Sequence, residues 1–197
     1  LVKSTGTTGT VTFNESAKVA STTGLLGLRP ATPSSTISSL RSRLYSVNNN
    51  NMEDAAVVVF DNAYSNNIAS EDAFKLSNPG ETFSIAKAGQ FFALEGRQPI
   101  TGTDTISFGI WNLRQQQYRL EFVPENMLNN GLIAILKDKY LGTSTVVNLD
   151  ATTEINFTVD ANVASAAKDR FMIVFTTARP LPICCFTSVA ANRSNGT

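Results

Sequence analysis

The chain has 197 residues, with 16 Lys plus Arg against 16 Asp plus Glu, no histidine and two cysteines. Balanced charge leaves no basic footprint for capturing nucleic acid, and the lack of imidazole removes Ser–His and Cys–His nucleophile pairs and histidine metal ligands. Apolar residues make up 42%, enough for a full core, yet no run approaches the roughly 18 residues of a membrane-spanning helix.

The segment 1–39 is rich in Thr, Ser and Gly, with one strand candidate at Thr10–Phe13. It reads as a low-complexity arm. The chain opens at Leu1 and is expected to be a mature product or an excised piece. From Leu40, the small or apolar Leu40, Ser42, Leu44 and Ser46 alternate with Arg41, Arg43, Tyr45 and Val47, a strand pattern. Ala55–Phe60 is a continuous apolar run, expected to be a fully buried strand. The polar stretch 62–72 reads as a long loop, and Ala73–Leu76 as a single helical turn.

Thr82–Ala86 and Phe91–Glu95 flank Ala88-Gly89 and predict a hairpin. In Asp104–Trp111, Ile106, Phe108 and Ile110 fall on one face. In Tyr118–Val123, Tyr118, Leu120 and Phe122 do the same. Gly131–Leu136 is another buried run, and Thr145–Leu149 with Glu154–Val159 reads as a second hairpin. Phe171–Phe175 closes the set. Many short strands at this spacing predict an all-β, antiparallel two-sheet β-sandwich of jelly-roll or immunoglobulin-like type over residues 40–179.

Residues 180–197 are set off by Pro180 and Pro182, which favour an extended break. The apolar strand candidate that follows begins Ile183-Cys184-Cys185-Phe186 and continues through Val189. It reads as the start of a following module or as an assembly strand, because an unpaired apolar strand invites addition to another sheet's edge. Neighbouring Cα atoms lie about 3.8 Å apart, below the usual disulfide span of about 4.4–6.8 Å. Cys184 and Cys185 are therefore expected not to bond each other. They are small hydrophobes or partners in an intermolecular disulfide.

An ordered series of short motifs carries a family resemblance. It runs Asp61-Asn62-Ala63-Tyr64-Ser65-Asn66-Asn67-Ile68, Glu71-Asp72-Ala73, Lys75-Leu76, Asn78 and Glu81, then Ser84-Ile85, Leu94-Glu95, Arg97, Pro99 and Asp104-Thr105-Ile106. Gln116-Gln117-Tyr118, Gly131-Leu132, Asp138, Tyr140-Leu141, Thr143 and Asp169-Arg170-Phe171 follow. The series resembles the β-sandwich module near the C-terminus of large secreted and surface proteins of Bacteroidota exported by the type IX secretion system. Leu181-Pro182-Ile183 resembles the start of the immunoglobulin-like segment that follows that module. The resemblance implies an extracellular or outer-surface location and an adhesive or structural role. It offers no catalytic residues.

Several residues qualify as sites by type. Asp61, Asn66, Glu71 and Asp72 present the oxygens that calcium prefers, though without EF-hand spacing; turn capping is the alternative use of the same groups. Trp111, on the polar face of its strand, and Tyr140 are candidates for stacking on a sugar. Glu95 and Glu121 are the strand carboxylates a two-acid glycosidase would use; as solvated charges they would instead pair with Arg97 and Arg119. Asp104-Thr105-Ile106 resembles the O-glycosylation pattern of Bacteroidota, with Thr105 as acceptor.

The whole predicts a non-enzymatic structural or adhesive module outside the cell. It would pair strands with copies of itself or with neighbouring domains of a larger chain, as in a filament. A carbohydrate-binding module is the alternative. Calcium is the one cofactor the residue types admit, and neither nucleic acid nor membrane insertion is expected.

Overall fold

The computed structural model describes residues 37–76, 78–127 and 131–177. Among them are eleven β-strands, a 3₁₀ turn at Val163–Ala166 and no α-helix. The strands are β1 (Ser38–Ser46), β2 (Asn51–Phe60), β3 (Ala73–Phe74), β4 (Thr82–Lys87), β5 (Gln90–Arg97) and β6 (Thr105–Trp111). Then come β7 (Gln117–Glu125), β8 (Leu132–Asp138), β9 (Thr143–Val147), β10 (Thr153–Thr158) and β11 (Phe171–Thr177).

The all-β expectation matches this architecture, and the alternation that announced the strands is visible in their burial. Ile106, Phe108 and Ile110 are buried on β6, and Tyr118, Leu120 and Phe122 on β7. Each such side chain contributes roughly 1.5–3 kcal/mol on leaving water. The β4–β5 hairpin turns at Ala88 (φ 49°) and Gly89 (φ 75°). Two successive positive φ angles are what the tight right-twisted hairpin turn demands.

Hydrogen bonding links the strands into one sheet in the order β10-β7-β1-β2-β5-β4-β6-β11-β8-β9, with β3 added to β5. Every pair is antiparallel except β2 with β5, which run parallel from Val57↔Leu94 to Phe60↔Arg97. This departs from a fully antiparallel pair of separate sheets. The parallel ladder carries backbone bonding from β10-β7-β1-β2 to β5-β4-β6-β11-β8-β9 without a break.

The sheet also folds onto itself. Phe108 of β6 meets Phe122 of β7 at 5.9 Å between ring centroids, and Phe157 of β10 meets Phe171 of β11 at 4.8 Å. Neither pair belongs to hydrogen-bonded neighbours, so these rings join opposite parts of the strand order across a single core. The six-residue step from Val147 to Thr153 further ties together the two ends of that order, β9 and β10.

Two local expectations are corrected. β9 and β10 do not pair as a hairpin: β9 pairs with β8 and β10 with β7. The connection between them buries Leu149, and no residue in it has a positive φ. It crosses the end of the core instead of reversing tightly. Ala73–Leu76 forms no helical turn. Ala73–Phe74 lies extended along β5, Phe74 stacks on Phe92 at 5.0 Å, and the Lys75 N–H donates to the Phe91 carbonyl. That course lets the Lys75 ammonium reach Asp54 at 2.5 Å.

β1 starts at Ser38, just inside the expected arm. The strand candidate Thr10–Phe13 and the assembly strand with Ile183, Cys184, Cys185, Phe186 and Val189 lie outside the described residues.

Candidate functional site

Two parts of the described fold bear on partner binding: the terminal strands of the sheet, and the end where its first and last described strands begin and finish. Among the described residues, nothing pairs with the outer edge of β9 or of β10. The two edges differ in chemistry. β9 reads Thr-Ser-Thr-Val-Val, and all of it but Val147 is exposed. Its pairing with β8 runs without a register shift from Ala134↔Val147 to Asp138↔Thr143. β10 carries Glu154, whose carboxylate lies 3.7 Å from Arg119.

At the chain's exit end the registers bring together Ser38 with Phe60, and Thr177 with Leu132. A cavity of about 240 Å³ opens there between Ser38, Phe60, Pro99, Ile100, Met127 and Leu132, with Leu149 on its wall. A second, wider groove of about 480 Å³ lies on the outward face of β1, β2 and β5, between Arg41, Arg43, Met52 and Ala93. Both are lined mainly by aliphatic side chains. Neither brings carboxylates together.

The acidic loop after β2 does converge, but its oxygens face main-chain N–H groups. Asp61 accepts from Ala63 at 2.8 Å, Asn66 from Gln98 at 3.1 Å and Glu71 from Ser65 at 2.7 Å. Asp72 accepts from Ala69 through one oxygen and from Gly96 through the other. The Ser65 N–H holds the Glu71 carboxyl below the ordinary range. Among the described residues no group of three or more acidic or thiol side chains is placed to hold a metal. The loop packs on β5 at Gly96, where an added Cβ would stand 2.6 Å from the Glu71 Cγ. These contacts are turn capping and docking.

Trp111 and Tyr140 have different neighbours. Trp111 packs against Phe91 at 5.0 Å, with the Lys168 ammonium 5.3 Å from its ring centroid. Tyr140 donates its hydroxyl to Asp160 at 2.9 Å and lies against the Arg170 guanidinium. The bond to Asp160 raises the Tyr140 hydroxyl above its ordinary value. Tyr118, placed on the core face by the alternation of β7, is wholly buried.

Glu95 is buried, not solvated, and pairs with Lys87 at 3.1 Å; Arg97 stands farther off at 3.9 Å. Glu121 pairs with Arg43 at 2.8 Å, while Arg119 turns toward Glu154. Glu95 on β5 and Glu121 on β7 are separated by β1 and β2 in the sheet. Three interstrand steps span about 14 Å, beyond the ~9.5 Å limit of a two-carboxylate glycosidase. Thr105 is exposed at the start of β6. Its neighbour Asp104 is held by Thr101 and by Arg97 at 2.9 Å.

The polar centre that residue-by-residue reading passed over is Arg170. Its guanidinium is fully buried and forks onto both oxygens of Asp138 at 3.0 and 2.8 Å. It also donates to the carbonyls of Thr158 and Ser165, and stacks against Tyr140, Phe157 and Phe171. Glu81 is a second such point, accepting from Arg114 at 2.6 Å and from the Tyr118 hydroxyl at 3.0 Å. Asp54 is a third, binding Lys75 and the Phe83 N–H.

Asp72, Lys75, Glu81, Asp138 and Arg170 all belong to the motif series that carries the family resemblance. In this fold they serve buried polar contacts. The signal that would have found them is a charged residue set inside an otherwise apolar strand context, as in Asp169-Arg170-Phe171. No protein-family profile, curated protein or solved structure matches the chain.

Proposed function

We propose that this chain is a non-catalytic structural or adhesive module that acts outside the cell and associates with copies of itself by strand addition. The observation that carries the reading is that no described residue pairs with the outer edges of β9 and β10, the former uncharged, in a chain of zero net charge. Near-zero charge removes long-range repulsion between copies. Edge main-chain groups supply hydrogen bonds to an incoming strand, and alternate side chains fill pockets. A head-to-tail contact of this kind does not close, so it propagates into a filament. The two halves of the folded sheet would then behave as the two layers of a sandwich.

The resemblance to the surface modules of Bacteroidota supports an extracellular location and export by the type IX route. Removing residues 183–197 is expected to leave a folded monomer, measured by light scattering coupled to gel filtration. Assemblies of unchanged mass would refute strand addition from that segment.

A carbohydrate-binding role is the second reading, favoured by the partly exposed Trp111 beside Phe91 and Lys168. Glycan-array binding that is lost in Trp111→Ala would support it. Absence of binding to any glycan would count against it.

A further inference from the structure

We infer that Lys87 and Asp72 are joined covalently, by an amide formed between the Lys87 Nζ and the Asp72 Cγ, with Glu95 carrying the protons. The inference stands apart from the self-association reading. Lys87 closes β4, Asp72 immediately precedes β3 and Glu95 lies on β5, and the pairing of β5 with both β3 and β4 brings the three together. The Lys87 ammonium lies 3.1 Å from Glu95 and 3.7 Å from Asp72. The side chains of Asp72 and Glu95 are 1% and 4% exposed, and that of Lys87 is 15% exposed. An amine, an acyl group and a carboxylate to relay protons are thus held together and largely away from water.

Asp72 is the acyl partner because of what holds it. Its Oδ1 accepts from the Gly96 N–H at 2.9 Å and its Oδ2 from the Ala69 N–H at 3.0 Å. Main-chain donors fixed on both oxygens meet the charge that develops there when the carboxyl carbon is attacked. Glu95 instead faces two cations, Lys87 and Arg97. The Lys75–Asp54 pair is closer, at 2.5 Å, but among the described residues no second carboxylate is within ion-pair distance of the Lys75 ammonium to relay protons.

In the step, the Lys87 ammonium gives one proton to Glu95, and the freed amine adds to the Asp72 Cγ. A second proton leaves the nitrogen. Both protons end on one Asp72 oxygen, whose bond to Cγ breaks. The products are a neutral amide, one water and Glu95 as the carboxylate it began as, and nothing is oxidised or reduced. Fixing the reacting groups in place supplies effective concentrations that reach about 10⁵–10⁸ M, which offsets the bias of water toward the free acid and amine. The bond ties the loop after β2 to the β4–β5 hairpin, in a stretch of chain with no cysteine to form a disulfide.

The test is the intact mass of the purified full chain, expected to be one water lighter than its sequence. Trypsin should then release a branched product joining peptides 44–75 and 76–97, uncleaved at Lys87, and fragmentation should place the branch at Asp72. Lys87→Arg and Glu95→Gln should restore the full sequence mass, Glu95→Asp should form the bond at least in part, and Asp72→Asn should lose ammonia in place of water. A wild-type chain of full sequence mass would overturn the inference, whether or not any variant folds. A tie to Glu95, seen as a loop within 76–97, or a tie between Lys75 and Asp54, which leaves Lys75 uncleaved, would overturn it equally. A bond that persists in Glu95→Gln would overturn Glu95 as the proton carrier.

Discussion

Removing the guanidinium of Arg170 leaves the Asp138 carboxylate and the carbonyls of Thr158 and Ser165 without their donor in a dry interior. Breaking one side of a buried ion pair costs about 3–5 kcal/mol, so Arg170→Ala should lower the unfolding free energy by that amount in urea titrations. Arg170→Lys keeps the charge but loses the fork, and should also fall well short of the wild type. Glu81 governs the acid side. Burial pushes its carboxyl up, but the bonds from Arg114, main chain and Tyr118 outweigh this and hold it below its ordinary value of 4.5. A carboxyl depressed in the folded state stabilises fully above its unfolded value and loses that contribution as pH falls through the folded one. Glu81→Gln should therefore be less stable at neutral pH and show a shallower loss of melting temperature from about pH 5 to about pH 3. Asp160, Asp169 and Glu125, also depressed, leave the variant some residual acid sensitivity. Composition alone hid Arg170 and Glu81 because a charged side chain is ordinarily assigned to water. Only the packed structure shows partners such as Asp138, drawn from 32 residues away.

Among the elements, the strands were legible wherever one face is buried and the other is not. The alternation in β6 and β7 predicts which side chains reach the core, because the side-chain period of a strand is two. Pairing was less legible. Ala55–Phe60 is apolar on both phases, so nothing in it announces a parallel neighbour at Leu94–Arg97. Likewise β9 and β10 are close in sequence, but Leu149 is drawn into the core, and the hairpin its flanks suggest never forms. The hairpin that does form contains a correctable defect. Ala88 occupies φ 49°, where an L-residue with an ordinary side chain is disfavoured by roughly 1–2 kcal/mol. Asparagine tolerates this region and makes the preferred Asn-Gly turn. Ala88→Asn should raise stability by about 1 kcal/mol, read as a rightward shift of the denaturation midpoint with unchanged slope.

At the scale of the molecule, the acidic loop and the sheet edge differ in how far their polar groups are engaged among the described residues. Residue type suggests a ligand, but only geometry shows whether the atoms are already engaged. The oxygens of Asp61, Glu71 and Asp72 cap main-chain N–H groups, which no composition reveals. Among the described residues the outer edge of β9, by contrast, meets no strand. If assembly runs through main-chain bonds at an uncharged edge, ionic screening has little to act on. Association is then expected to change less than about two-fold between about 50 mM and about 500 mM salt, a range over which surface charge attraction is strongly screened. A steep fall with salt would point to ion-pair contacts instead.

The parallel ladder between β2 and β5 also governs how the chain comes to be folded. A parallel pair cannot be zipped from a tight turn; its strands must meet after the intervening chain has been looped out. β1 and β7 impose a similar delay, since Arg43 and Glu121 are 78 residues apart in sequence. Topologies dominated by distant pairings acquire structure in milliseconds to seconds, not microseconds. During that interval the bare margins of β2 and β5 stand open to strangers, and dilution or a chaperone during refolding should raise the yield of soluble protein.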